Sequence, residues 1–262
     1  MFNQITFLIF NGTIVVCSLM LVLWVIQLRT KNAGVVDLGW VLGLVILAAL
    51  YSFQDIGYPI RKLLILAMVS LWALRLAFLL LRRLSRDQKE DSRYQKIREG
   101  WKTNVNLKFL FFFQFQAILD VILSTPFLIV SLNPRIRLSG FELLGILIWF
   151  IAVIGESLAD EQLYKFKSDP QNKGKTCQVG LWQYSRHPNY FFESLVWIGY
   201  FVFALGSPWG WVSVFCPILM LYFLLKVSGV PLAEEQSLLS RGEEYRQYQR
   251  TTSVFVPWFR KK

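Results

Sequence analysis

The residues best suited to chemistry in this sequence lie between positions 180 and 193: Gly180-Leu-Trp182-Gln-Tyr184-Ser-Arg186-His187-Pro188-Asn189-Tyr190-Phe-Phe-Glu193. Pro188 suits the first turn of a helix, where a missing N–H costs nothing. Asn189 and Glu193 then share one helix face, a turn apart. The free N–H groups of a helix start attract phosphate, and Arg186 and His187 add side-chain donors beside it. Read blandly, the same stretch is a capped helix with an interfacial basic pair. Glu156 and Asp160 are also four residues apart, with Lys165 and Lys167 following within reach. Carboxylates so spaced either form a salt-bridge cluster at a membrane edge or hold ribose hydroxyls or an adenine amino group. Glu234 and Glu235 follow an apolar run directly and are placed to close such a pocket, although most charges from there to Tyr248 suit a solvated face. Asp37 and Trp40 open another apolar run, and Trp72 and Arg75 lie within a third. Charge inside such a run is functional or paired, so Arg75 needs a partner: Asp37, Asp120 or Glu156.

The elements that must position these groups are apolar helices. The chain has 262 residues, of which 55% are hydrophobic, with a mean hydropathy of +0.43. The excess is gathered in runs about 20 residues long, the length a helix needs to cross ~30 Å of hydrocarbon. Internal hydrogen bonding makes helices the natural spanning structure. The pattern predicts an all-α polytopic membrane protein of a single domain, with about seven spans near 5–28, 35–53, 61–81, 107–132, 139–159, 188–206 and 209–228. Pro126 should kink the fourth span.

Net charge is +11. Its distribution fits loops retained on the cytoplasmic side better than nucleic-acid binding. Basic residues gather at Arg29 and Lys31, from Arg82 through Lys89 to Lys108, from Lys165 to Arg186, and from Arg241 to Lys262. That alternation puts the N-terminus outside and the C-terminus in the cytoplasm, with Arg61, Lys62, Arg135 and Arg137 as exceptions on the outer side. The three cysteines, Cys17, Cys177 and Cys216, have neither metal nor disulfide spacing, and the single histidine, His187, excludes a multi-histidine metal site. No phosphate-binding loop or dinucleotide fingerprint occurs. A bound nucleotide must therefore sit among transmembrane helices and their loops. The tail from Pro231 is amphipathic at first and suits a membrane surface or a fold over the cytoplasmic mouth.

Along nearly its whole length the sequence resembles the bacterial membrane branch, of unassigned function, within the steroid 5-alpha-reductase superfamily. The resemblance runs through Val36-Asp37-Leu-Gly-Trp40, Trp72-Ala-Leu-Arg75, Glu90-Asp91-Ser-Arg93-Tyr94, Phe113-Gln114, Gly155 to Lys167 and Gly180 to Glu193. It ends in Ser228-Gly229-Val-Pro231, Glu234-Glu235, Arg241-Gly-Glu-Glu-Tyr245 and Val256-Pro257. Arg186-His187-Pro188-Asn189-Tyr190 is specific to the wider superfamily, which includes sterol reductases and isoprenylcysteine carboxyl methyltransferases.

The resemblance implies a seven-helix enzyme of a bacterial inner membrane. Its cofactor would lie in a C-terminal region of about 107–262, open to the cytoplasm. That cofactor is NADPH in the reductases and S-adenosylmethionine in the methyltransferases. The reductase branch implies reduction of a carbon–carbon double bond conjugated to a carbonyl in a lipid-soluble, steroid-like substrate. Glu156, Asp160, Lys165, Lys167, Tyr184, Arg186, His187, Asn189, Tyr190, Glu193, Glu234 and Glu235 are then the cofactor-binding candidates. The phosphates would fall near Lys165, Lys167, Arg186 and His187. By the same resemblance, Asp37, Trp72 and Tyr94 are the candidates for the acid, with Asp37 expected to be protonated. Glu156 stands where the reductases have Asn, Lys167 where they have Arg, and Trp72 near their Tyr. The methyltransferase alternative makes Glu193, Glu234 and Glu235 the important groups around a sulfonium. A non-catalytic lipid-binding protein is the third reading.

Overall fold

A computed structural model describes residues 2–86 and 90–260 of the chain. The basic residues Lys89, Lys261 and Lys262 lie outside the described residues. The helices are α1 (Phe2–Thr30), α2 (Val35–Ser52), α3 (Pro59–Arg86), α4 (Ser92–Gly100), α5 (Val105–Leu123), α6 (Thr125–Ser131), α7 (Gly140–Ser168), α8 (Pro188–Ala204), α9 (Phe215–Tyr222), α10 (Val230–Arg241) and α11 (Glu243–Thr251). Among the described residues, extended pairing is limited to one isolated bridge between Ser185 and Ser253.

Among the described residues, six helical segments are long and apolar enough to cross a membrane: Asn3–Thr30, Val35–Ser52, Pro59–Arg82, Val105–Ser131, Gly140–Ser168 and Gly210–Arg241. The seventh expected span, 188–206, is α8, which has 17 residues. At 1.5 Å per residue it reaches only ~26 Å, short of the hydrocarbon thickness. Pro126 breaks the fourth span as its chemistry requires, ending α5 at Leu123 and restarting the helix as α6. α7 outruns its expected end at residue 159, continuing to Ser168 and so carrying Asp160 and Lys165 on regular helix.

The chain divides into two compact units, residues 1–139 with 204–213, and residues 140–203 with 214–262. In the first, α1, α2 and α5 pack on one another, α3 packs on α2, and α6 lies against α2 and α3. The core holds Leu44, Leu47, Tyr51, Trp72, Phe109 and Phe113, each almost wholly buried. Arg61, fully buried, donates to the carbonyls of Asn133, Arg135 and Arg137 at 3.1, 2.6 and 2.9 Å. Asn133 in turn donates to Ser207 Oγ at 3.0 Å, which fastens the 204–213 segment.

Asp120 on α5 is also fully buried, and neither carboxylate oxygen accepts a hydrogen bond. Its Oδ2 lies only 2.3 Å from where a Cβ on Gly43 would be. Only glycine on α2 leaves room for it.

In the second unit, α7 and α8 approach through glycines. A Cβ on Gly145 would lie 2.5 Å from the Phe203 nitrogen, and one on Gly199 would lie 2.9 Å from the Trp149 Cβ. Small residues at such crossings let backbones come close where lipid offers no hydrophobic drive to association. After α9 the helix widens into a π turn over Phe223–Val227, and α10 and α11 follow.

Candidate functional site

The first unit contains a compact polar cluster built on α2 and α4. Asp91 caps α4 by accepting from the Arg93 N–H at 2.9 Å, a favourable N-cap arrangement. That cap turns Arg93 and Tyr94 toward the first turn of α2. Arg93 Nη2 meets Asp37 Oδ2 at 2.9 Å. Tyr94 Oη donates to Asp37 Oδ1 at 2.5 Å, the short length of a hydroxyl bonded to a carboxylate. Arg93 also holds Asp91. Glu90 braces the arrangement from beside it. It accepts from the Ala33 N–H at 2.7 Å and pairs with Arg98 at 2.8 Å.

Burial pushes the Tyr94 phenol well up from its ordinary range; Asp37 adds to that shift, and Arg93 opposes it. The hydroxyl therefore keeps its proton at neutral pH. Asp37 accepts from both Arg93 and Tyr94, so Tyr94 is the hydroxyl donor of the cluster. Trp72 takes no part in the bonds at Asp37 or Tyr94. It is fully buried and packs edge-on to Trp40 at 5.6 Å. Arg75 finds its partner neither in Asp37, which belongs to Arg93, nor in Asp120, which accepts no bond.

The second unit gathers the other candidates around the start of α8. Gly180, at φ +56, lets the chain turn against Gln162, whose Oε1 accepts from the Leu181 N–H at 2.8 Å. Trp182 Nε1 donates to the Ala159 carbonyl at 2.9 Å, pinning the loop to α7. Pro188 opens α8 as expected. Asn189 then reaches α7, its Nδ2 lying 3.4 Å from Asp160 Oδ1. Glu156, Asp160 and Glu193 are all buried, and Glu193 accepts from Trp197 Nε1 at 2.9 Å. The Asn189 Oδ1 is buried and accepts no hydrogen bond. It is an acceptor waiting for a donor, which suits a ribose hydroxyl or an adenine amino group.

Arg186 and His187 face a different task. Arg186 Nε pairs with Glu234 Oε1 at 2.6 Å, and its Nη1 donates to the carbonyls of Gln249 and Thr252 at 2.9 and 2.7 Å. His187 Nε2 lies 3.3 Å from the same Glu234 oxygen, and its ring stacks on Tyr190. Gln249 Nε2 supplies Glu234 Oε2 at 2.9 Å. Ser185 Oγ donates to the Phe255 carbonyl, and Tyr248 Oη donates to the carbonyls of Trp182 and Ser185. These bonds sew the tail after α11 onto the loop before α8, so Arg186 is a structural clamp. Those three bonds engage Nε and Nη1, which leaves the Nη2 donors as the part of Arg186 that could meet an anion. The remaining basic candidates, Lys165 and Lys167, are exposed, and Lys165 pairs with Glu161 at 3.5 Å. Tyr184 is exposed and packs against Phe259, and Glu235 is exposed as well.

The protein-family model described as "Protein of unknown function (DUF1295)" matches residues 23–252. The chain belongs to this family. The DUF1295 match takes in both clusters, from Asp37 through Thr252. An uncharacterised protein of Schizosaccharomyces pombe is 27% identical over 208 residues, covering 70% of this chain and 60% of the yeast protein. The aligned region thus leaves a substantial part of that relative unmatched. Because the relative is a yeast protein, it lends no support to a specifically bacterial grouping. No solved structure matches the chain.

Sequence reasoning gave Arg93 no role, although it lies between Asp91 and Tyr94. The cap at Asp91 was the available signal. It also gave no role to the carbonyls of Gln249 and Thr252, which no side-chain motif marks.

Proposed function

We propose that this DUF1295 protein is a membrane-embedded reductase that uses NADPH to saturate a carbon–carbon double bond conjugated to a carbonyl in a lipid-soluble substrate. The Tyr94–Asp37–Arg93 cluster carries the reading: a buried phenol, held by a carboxylate and an arginine, is a proton donor set in an apolar protein interior. Reduction of an enone adds hydride at the β-carbon and leaves negative charge on the carbonyl oxygen. A hydrogen-bond donor at that oxygen lowers the barrier by ~3–4 kcal/mol in comparable sites. Tyr94 supplies the donor by turning its single O–H from Asp37 to that oxygen, and the Arg93 charge beside it favours the developing anion. NADPH supplies the hydride. Glu156, Asp160, Asn189 and Glu193 suit its nucleoside hydroxyls and amine, and the exposed Lys165 and Lys167 suit its phosphates. A cytoplasmic position for the basic loops beside each cluster accords with this reading, since NADPH is dissolved there.

The second reading is transfer of a methyl group from S-adenosylmethionine. It is favoured by the carboxylates buried in the second unit, Glu156, Asp160 and Glu193, and by the engagement of Arg186 with Glu234. A sulfonium and an adenosine fit such a site without needing a phosphate partner.

Thermal unfolding of the purified protein with each cofactor separates the two. A ligand at 100 times its dissociation constant adds ~2.7 kcal/mol to the native state. Stabilisation by NADPH alone supports reduction, and stabilisation by S-adenosylmethionine alone supports methyl transfer. No response to either leaves the lipid-binding reading. Asp37→Asn should lower turnover far more than NADPH affinity; equal loss of both would remove the cluster from the chemistry.

A further inference from the structure

We propose that the groove at the start of α5 binds an anionic phospholipid of the surrounding bilayer. The groove has a volume of about 370 Å³ and is lined by Trp101, Lys108, Phe111, Phe112 and Phe115. The last four fall at positions i, i+3, i+4 and i+7 of one helix, so they form a single stripe along α5. The stripe faces outward, with Phe111 66% and Phe115 48% exposed. α5 opens a candidate membrane span. The stripe therefore runs from the polar end of the span into its apolar body.

Trp101 roofs the polar end. It packs edge-on to Phe109 at 5.0 Å, and the Lys108 ammonium lies over its ring at 5.9 Å. Tryptophan favours this depth, where one side of the ring is apolar and the other wet. Lys108 makes no ion pair among the described residues, whereas Arg98, stacked over Phe109 at 4.7 Å, is engaged by Glu90. The first turn of α5 carries no acidic residue, and Lys102 is exposed just before it. The groove thus offers a cation at one end and aromatic rings along the rest. A lipid with an anionic headgroup and an acyl chain matches both parts. A free phosphate would use only Lys108. A zwitterionic headgroup brings its own ammonium toward the lysine.

The test uses full-length protein in nanodiscs mixing phosphatidylglycerol with phosphatidylcholine, with retained lipid read by native mass spectrometry. The wild type should retain phosphatidylglycerol about tenfold over phosphatidylcholine, a difference of ~1.4 kcal/mol. Lys108→Gln should bring the two lipids near parity, and Trp101→Leu should weaken retention. Lys175→Gln, an exposed lysine in another segment, should behave as the wild type. Equal retention of both lipids by the wild type overturns the proposal, as does unchanged preference in Lys108→Gln. Displacement of phosphatidylglycerol by inorganic phosphate also overturns it, by assigning the groove to a soluble anion.

Discussion

Tyr94 and Asp37 stand 57 residues apart in the chain and share one 2.5 Å hydrogen bond, donated by the phenol. That bond joins α4 to the first turn of α2 and leaves each Asp37 oxygen with a partner, Arg93 being on the other one. It fixes which group in the first unit has a proton to give.

Tyr94→Phe removes that proton while keeping the ring. If the protein reduces an enone, turnover should fall by about 10²–10³, the loss seen when one stabilising donor is removed. NADPH-dependent stabilisation should persist, because the nucleoside candidates belong to the second unit. The assay is NADPH oxidation with a panel of lipid enones, paired with thermal unfolding. Undiminished turnover would dismiss Tyr94 as the donor.

The same tyrosine predicts an alkaline limit to stability. Its phenol is raised in the folded state by burial first and by Asp37 second, from an ordinary value of 10.0. A group raised on folding contributes in full below its unfolded value, and the contribution fades as pH climbs through the folded one. The unfolding temperature should therefore drop as pH rises above ~10, the unfolded tyrosine value, and Tyr94→Phe should drop less steeply over the same interval. Parallel slopes would show that the phenol is not held neutral.

Arg186→Ala should destabilise the second unit by ~3–5 kcal/mol, the cost of leaving one partner of a buried pair behind. Arg186→Lys should recover little, because a single ammonium cannot serve Glu234 and two carbonyls at once. The effect should appear as faster proteolysis of the segment after Thr252 and a lower unfolding temperature. Loss of NADPH affinity with an intact tail would instead put Arg186 on the cofactor.

Gly180→Ala should cost about 1–2 kcal/mol from the left-handed backbone alone, with a further loss as Gln162 is pushed from the Leu181 N–H. Gly174 has φ +80 but open space around it, so Gly174→Ala should cost only the backbone part. Thermal unfolding of the pair separates strain from collision.

Much of the scaffold was legible because it depends on local pattern. Apolar runs marked the spans, Pro126 marked the break between α5 and α6, and a spacing of four put Glu156 and Asp160 on one face of α7. A helix start at Pro188 put Asn189 and Glu193 one turn apart on α8, while the approach of Asn189 to Asp160 was visible only once α7 and α8 were packed. What stayed hidden depends on the chain returning from far away. The engagement of Arg186 requires the backbone of Gln249 and Thr252, which carries no side-chain signature. α4 is polar throughout, so nothing in its composition showed which face meets Asp37. The shortness of α8 was hidden because the turn at Ser207 and Pro208 follows an apolar run without a charge to mark its end.

Arg61 has a consequence for how the loop after α6 can evolve. The carbonyls of residues 133, 135 and 137 are alternate groups of one irregular loop, and all three accept from one guanidinium. In a sheet, a neighbouring strand would satisfy such a row. Here one permanently charged side chain does so where water has little access. Side chains along that segment other than Asn133, which bonds Gly206 and Ser207, are free to vary, since Arg61 recognises the main chain alone. The arginine is not free to vary, because no shorter or single-headed cation spans these alternate carbonyls of the loop.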